Sequence, residues 1–269
     1  MSKRGKIILI ILAIIAAACA GYLIYHFVSL AKANNDSEEL LEKVSIETVA
    51  PVQSTTGAAE ESTETETTTA AYESPIDFTE LQSINEEIHA WITVDNTSIN
   101  YPVAQHAGES GTYSENYYYL DTNYDNTYSE YGTLFTTTEN ATDMSDPITV
   151  IYGHNRSRFE ELKLYRDETY WDEHRYIHVY TPTEELTYKI WAAVVHSDDF
   201  LANLYDLKTT EGVESFITGV LQINDLNSHV DESMTVTGDD RLVVLSTCVP
   251  EDSSKRYLVV GVLQTDAEK

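Results

Sequence analysis

Cysteine is almost missing from these 269 residues: there are two, Cys19 and Cys248. Cys19 falls inside a long apolar segment near the N-terminus. Cys248 is therefore left without a partner for an intrachain bridge, which excludes a disulfide-stapled fold. Basic side chains are scarce as well. Sixteen Lys and Arg stand against 45 Asp and Glu, for a net charge of −29. From residue 76 onward the balance is 35 acidic to 11 basic, or −24. Such a surface repels a phosphate backbone, so no nucleic acid is expected as partner. The acidic excess reads as a solvating surface for a protein in an ion-rich exterior. Large apolar residues all but vanish from TTGAAEESTETETTTAAYESP, residues 55–75. That stretch cannot bury enough surface to offset its ordering entropy. Internal repeats are also lacking.

What is present begins with three cations in residues 1–6, followed by nineteen residues without a charge, Ile7 to Tyr25. As a helix they span about 28 Å, enough to cross a bilayer. The cations precede the span and only Lys32 closely follows it, which places the N-terminus in the cytoplasm and the rest outside. Ala16 to Ala20 offer small residues for signal cleavage. The apolar segment, however, outruns a usual signal core and continues through Ile24, so we read an uncleaved single-pass anchor in the plasma membrane. The expected organisation is a cytoplasmic tip and anchor over 1–31, a disordered acidic Thr/Glu-rich linker over 32–75, and one extracytoplasmic domain over 76–269. The linker's reach as a coil is roughly 35–40 Å, and Ser37 to Val44 are compatible with a short helical continuation of the anchor.

Within the outer domain, Leu81, Ile84, Ile88 and Trp91 fall at helical spacing, which leaves His89 off the stripe and solvated. Trp91–Val94 and Ile99–Val103 read as strands around a turn, with Pro102 pointing to an edge. The tyrosine-rich ENYYYLDTNYDNTYSEYGTLF reads as half-buried rings with wet hydroxyls, or more sharply as a peptide groove. Tyr176–Tyr180 and Leu186–Val195 are further strands, and Glu211–Ile223 is a helix with Val213, Phe216, Ile217, Val220 and Leu221 on one face. The expected fold is mainly β with accessory helices, a barrel or twisted sheet.

The chemistry gathers at strand ends. Leu242–Leu245 is an unbroken apolar run that ends at Cys248. Arg256 opens a second run, Tyr257–Leu263. As an antiparallel pair these strands set Cys248 beside Arg256, roughly 5 Å apart Cα to Cα, and a cation there favours thiolate. Strand alternation turns the neighbouring Lys255 to the other face. ITVIY, residues 148–152, ends at Gly153, so His154 also stands at a strand terminus. His174, His178 and His196 carry no such signal, and His106 and His229 fall in polar loops. Asp252 and Glu251 are candidates for orienting the histidine, though a solvated loop suits them better.

These residues resemble class B sortases of Gram-positive bacteria over nearly the whole outer domain. Val244-Leu245-Ser246-Thr247-Cys248 is similar to the TLxTC signature, with valine for the first threonine, and IYGHNRSRFEEL is similar to the family's histidine segment. INEEIHAWITVDNTSINYPVAQ, the tyrosine-rich stretch and the late helix follow the same order. The resemblance implies a sortase-like β-barrel with an N-terminal helix and a helix between late strands. It also implies a cysteine transpeptidase with Cys248 as nucleophile, His154 as acid and base, and Arg256 as substrate and oxyanion support, assisted by Ser246 and Thr247. No cofactor or metal is implied. The partners implied are secreted proteins bearing a C-terminal sorting signal, and peptidoglycan or its lipid-linked precursor as amine acceptor. A pilus-polymerising sortase, a hydrolytic cysteine peptidase and a catalytically degenerate wall-binding module stay open as alternatives.

Overall fold

The computed structural model describes residues 3–45, 72–106, 116–156 and 158–265. Most of the Thr/Glu-rich stretch expected as a tether lies outside the described residues. The chain divides into two compact units, residues 1–43 and 44–269. The first is carried by one helix, α1 (Lys3–Val44). It contains the uncharged segment and continues through Lys32–Val44, so the opening of the expected linker is helical. By length and composition it is the one helix among the described residues able to cross a membrane.

The second unit is a β-barrel with accessory helices. Its elements are α2 (Phe78–Ile84), β1 (Ile88–Val94), β2 (Asn100–Ala104), β3 (Leu134–Phe135), β4 (Ile148–Tyr152), α3 (Glu168–Glu173), β5 (Tyr176–Tyr180), β6 (Glu185–Ser197), α4 (Leu201–Leu204), α5 (Thr210–Leu221), β7 (His229–Val230), β8 (Leu242–Val249) and β9 (Asp252–Leu263). Two 3-10 segments, Tyr118–Leu120 and Glu160–Arg166, lie before β3 and after β4. The strands run in the order β5-β1-β2-β3-β4-β8-β9-β6-β7, and β5 also pairs with β6. That pairing closes eight strands on themselves and leaves β7 as a short flap on β6. Closure removes the sheet edges that an open β-protein must protect.

Alternation sorts the strand residues into two apolar layers. Val243, Leu245, Tyr257, Val259, Ile151 and Val103 fill the barrel interior. Leu242, Val244, Leu258, Val260 and Val150 face outward and are covered by Val213, Phe216 and Val220 of α5. Leu242–Leu245 are thus buried on both faces, which accounts for a run with no polar alternation. The register shift in β6 between Ile190 and Ala192 adds a residue to the strand, so that Ile190 and Ala193 both point inward.

The front of the domain departs from the spacing. The expected helical stripe splits: Leu81 and Ile84 belong to α2, whereas Ile88 and Trp91 belong to β1. Asn85, in extended conformation, ends the helix. Pro102 lies opposite Trp91 on one side, and on the other β2 pairs with β3 only from Val103 onward. The missing N–H therefore costs no ladder bond, although β2 is not an edge strand. His89 is not solvated. It is buried, with Nε2 3.0 Å from Thr136 Oγ1, and burial pushes its pKa down to about 4. A histidine held below its unfolded value near 6.5 supports the fold above that pH, and its support is lost as pH falls from about 6.5 towards 4. Between pH 7 and 4.5 wild type is expected to lose on the order of 3 kcal/mol more stability than His89→Gln, as read from urea unfolding of both at each pH.

Candidate active site

The site grows from three neighbouring strands, β4, β8 and β9. β8 and β9 pair antiparallel with Cys248 directly opposite Arg256. The connection is tighter than the apolar runs suggest, because β9 begins at Asp252 and only Pro250 and Glu251 intervene. β4 runs parallel to β8, with Tyr152 opposite Ser246. Two hydrogen bonds carry that register beyond the end of β4. Gly153 N–H donates to the Ser246 carbonyl at 3.2 Å, and Thr247 Oγ1 donates to the Gly153 carbonyl at 2.7 Å. Cys248 and Arg256 thus form a row across β8 and β9, with His154 in the loop that leaves the adjoining β4, and alternation from Leu242, Val244 and Leu258 places Cys248 and Arg256 on the outer face.

Close packing shapes the histidine's approach. A Cβ on Gly153 would run into Leu134 and Phe159, so only glycine lets the chain leave β4 here. His154 is half-buried and its Nε2 lies 2.9 Å from the Leu120 carbonyl. A carbonyl only accepts, so Nε2 carries the hydrogen and Nδ1 keeps the lone pair of the neutral ring. Burial lowers the histidine's pKa, against the opposing pull of the Leu120 carbonyl. The ring is oriented by a main-chain carbonyl rather than a carboxylate. Glu251 instead pairs with Arg166 at 3.1 Å, and Asp252 accepts from Ser254 Oγ at 2.6 Å. The turn that offers the Leu120 carbonyl is held from behind by Gly132. Its φ of 58° and a Cβ position overlapping the Tyr119 and Leu120 carbonyls demand glycine.

Asn155 was not singled out by the sequence, yet its Nδ2 donates to the Cys248 carbonyl at 2.9 Å. With Thr247 it ties the histidine loop to the cysteine strand. Asn155→Ala is expected to lower kcat about tenfold, the equivalent of one well-placed hydrogen bond, while KM stays within twofold. Steady-state kinetics beside a melting curve check this. A loss of melting temperature with kcat unchanged would make the bond merely structural.

A cavity of about 520 Å³ opens beside the row, lined among others by Tyr152, Ser246, Arg256, Tyr117 and Phe200. Ser246 faces it. Thr247 points into the opposite layer, so its side chain serves the site through Gly153. Phe135, Tyr152 and Phe200 stack in series at 5.6 and 6.1 Å, with Tyr117 set edge-on to each. The tyrosine-rich stretch thus supplies a groove wall through Tyr117. Tyr152 was within reach of sequence reasoning, because it stands two residues before His154 at the end of the same strand. The wall formed by residues 197–203 carried no periodic signal. Other histidines serve the fold. His106 lies 2.9 Å from Glu87, and His229, in β7 rather than a loop, stacks on Trp171.

The Sortase domain family matches residues 92–264. Sortase B of Listeria monocytogenes is 30% identical over 191 residues, covering 69% of this chain and 73% of that protein. The crystal structure of sortase B from Bacillus anthracis aligns with a TM-score of 0.65 at 25% identity, covering 88% of this chain and 98% of its own. A Streptococcus pyogenes class B sortase involved in pilus biogenesis aligns with a TM-score of 0.58 at 26% identity, covering 70% and 97%. The closed eight-strand barrel, the cysteine strand at its centre and these likenesses agree, and the chain belongs to the sortase family of cysteine transpeptidases, in its class B.

Proposed function

We propose that this chain is a membrane-anchored transpeptidase that cleaves a C-terminal sorting signal and joins the released protein to an amino group of peptidoglycan or its lipid-linked precursor. The observation that carries the reading is Cys248 directly opposite Arg256, with His154 two residues past the end of the adjoining β4 and a cavity of about 520 Å³ lined by Arg256. Cys248 Sγ attacks the threonine carbonyl of the signal. Neutral His154 takes the thiol proton and delivers it to the departing amine as the C–N bond breaks, leaving a thioester. The incoming amine then attacks, the S–C bond breaks, and the amine's proton returns through the histidine. Arg256 holds the substrate and stabilises the oxyanion. No cofactor enters this scheme.

The anchor is α1, whose apolar side chains, among them Ile10, Ile14, Leu23 and Phe27, are more than half exposed. A bilayer would cover them, with the N-terminus in the cytoplasm, residues 32–75 as tether and residues 76–269 as the catalytic domain outside. The likeness to a pilus-biogenesis sortase favours one second reading, in which the acceptor amine belongs to another protein subunit. The test uses the full chain in detergent micelles with a panel of sorting-signal peptides, with and without an amine, read by intact mass. The expected result is an acyl adduct on Cys248 that passes to the amine. Hydrolysis without transfer from every peptide would point to a peptidase, and no adduct from any motif would leave only a binding module.

A further inference from the structure

The Leu120 carbonyl that sets the His154 tautomer belongs to a turn with little internal support. Tyr118–Leu120 is a single 3-10 turn without a side-chain cap, closed by the bond from Leu120 N–H to the Tyr117 carbonyl at 3.0 Å. A carbonyl orients a ring no better than its own peptide is held. The hold comes from outside the turn.

Both side chains that precede Leu120 lead to one carboxylate. The Tyr119 ring is buried. Its hydroxyl donates to Glu87 Oε2 at 2.6 Å and accepts from Asn85 Nδ2 at 2.8 Å. Burial first, and then the bond to Glu87, push this phenol above its ordinary value, so it stays protonated and remains the donor. The Tyr118 ring stacks on His106 at 4.1 Å, and His106 Nδ1 lies 2.9 and 3.0 Å from the two Glu87 carboxylate oxygens. Glu87 is itself fixed to the barrel. It immediately precedes β1, its N–H donates to Asn85 Oδ1 at 3.0 Å, and its carbonyl accepts from Gln105 N–H at 3.0 Å. A short bond to a charged acceptor is the strong kind, so the Tyr119 hydroxyl is the firmest tie between barrel and turn. Neither Tyr119 nor Glu87 lines the cavity.

We propose that Tyr119, braced by Glu87, is a positioning residue for the proton transfer: it holds the Leu120 carbonyl where that carbonyl keeps the hydrogen of His154 on Nε2 and the lone pair on Nδ1. The inference rests on the reading of His154 as the proton carrier. When the turn slackens, the carbonyl no longer selects the tautomer. Part of the population then carries its hydrogen on Nδ1, where it cannot take up the thiol proton.

The test uses the full chain in micelles with isotope-labelled histidine rings, read by nitrogen NMR at neutral pH. Tyr119→Phe removes the hydroxyl and keeps the ring, whereas Glu87→Gln keeps an acceptor oxygen and removes its charge. The His154 resonances, identified by their loss in His154→Gln, report the tautomer in the free enzyme. Wild type is expected to show the Nε2–H form alone, and Tyr119→Phe a resolved mixture of the two forms. On a sorting-signal peptide, kcat should fall about tenfold in Tyr119→Phe and about threefold in Glu87→Gln, with KM within twofold in both. An unmixed Nε2–H form in both variants, or kcat within twofold of wild type in both, overturns the inference even where the melting temperature falls, because the tie would then serve the fold alone. Should Tyr119→Phe not fold, Glu87→Gln, which retains every ring, decides by the same two readings. Failure of wild type to cleave any peptide overturns the function instead; the tautomer reading, made without substrate, still decides whether Tyr119 and Glu87 set the ring.

Discussion

Cys248→Ala is expected to abolish both cleavage and transfer, a loss on the order of 10⁶-fold in kcat, as when the nucleophile of an acyl-transfer enzyme is removed. The thiol is the group to which the acyl chain bonds, so no thioester mass should be found even after long incubation with substrate. The other thiol, Cys19, sits on α1, and Cys19→Ala should leave turnover at the wild-type rate. The loss will not reflect unfolding. Cys248 is half-buried at the end of β8, and the two strands it joins are held by Thr247 at 2.7 Å from the Gly153 carbonyl and by Asn155 at 2.9 Å from its own main-chain carbonyl. Neither bond uses the sulfur. A melting temperature within a few degrees of wild type, beside undetectable thioester, is the combined result expected. Residual turnover above about one part in a thousand would mean that another nucleophile carries the acyl group.

The centre of this site was legible in the sequence because it is built on strands whose apolar runs are long and end abruptly. The runs before Cys248 and after Arg256 allowed one simple pairing, and the register has that pairing. His154 stood out because a β-branched run stopped at a glycine, and Gly153 is indeed a position where no Cβ fits. The periphery was not legible, for reasons that differ by residue. Leu81, Ile84, Ile88 and Trp91 satisfy helical spacing, but Ile88 to Val94 is also a run of strand formers, and the break at Asn85 decided between them. His89 was misplaced with that helix. The Leu120 carbonyl that orients His154 is a main-chain atom 34 residues away. No side-chain pattern announces it; only Gly132, with its positive φ, marks the turn that presents it. The cavity's third wall, residues 197–203, is a connection whose position follows from β6 and α5 rather than from its own composition.

The Leu120 contact gives the second large effect its particular form. A base held by a carboxylate gains charge stabilisation when protonated; a half-buried histidine held by a neutral carbonyl gains less, and here desolvation wins, so its pKa lies below the usual 6.5. In free enzyme at neutral pH the ring is therefore neutral and ready to accept the thiol proton through Nδ1. Protonation below the depressed pKa would remove that capacity. The acid limb of kcat/KM is accordingly expected below pH 6.5, and turnover should persist into mildly acidic solution and fall only as pH drops through the lowered value. His154→Ala should remove this limb together with about 10⁴-fold of the rate, the upper range of proton-transfer catalysis. His154→Gln distinguishes the ring's chemistry from its packing. Glutamine can still donate to the Leu120 carbonyl but cannot take up a proton, so it should restore the melting temperature and leave the rate as low as alanine does. A glutamine variant within tenfold of wild type would assign the proton transfer to another group, and an acid limb of kcat/KM well above 6.5 in wild type would mean that the histidine of the free enzyme is not held below its ordinary value.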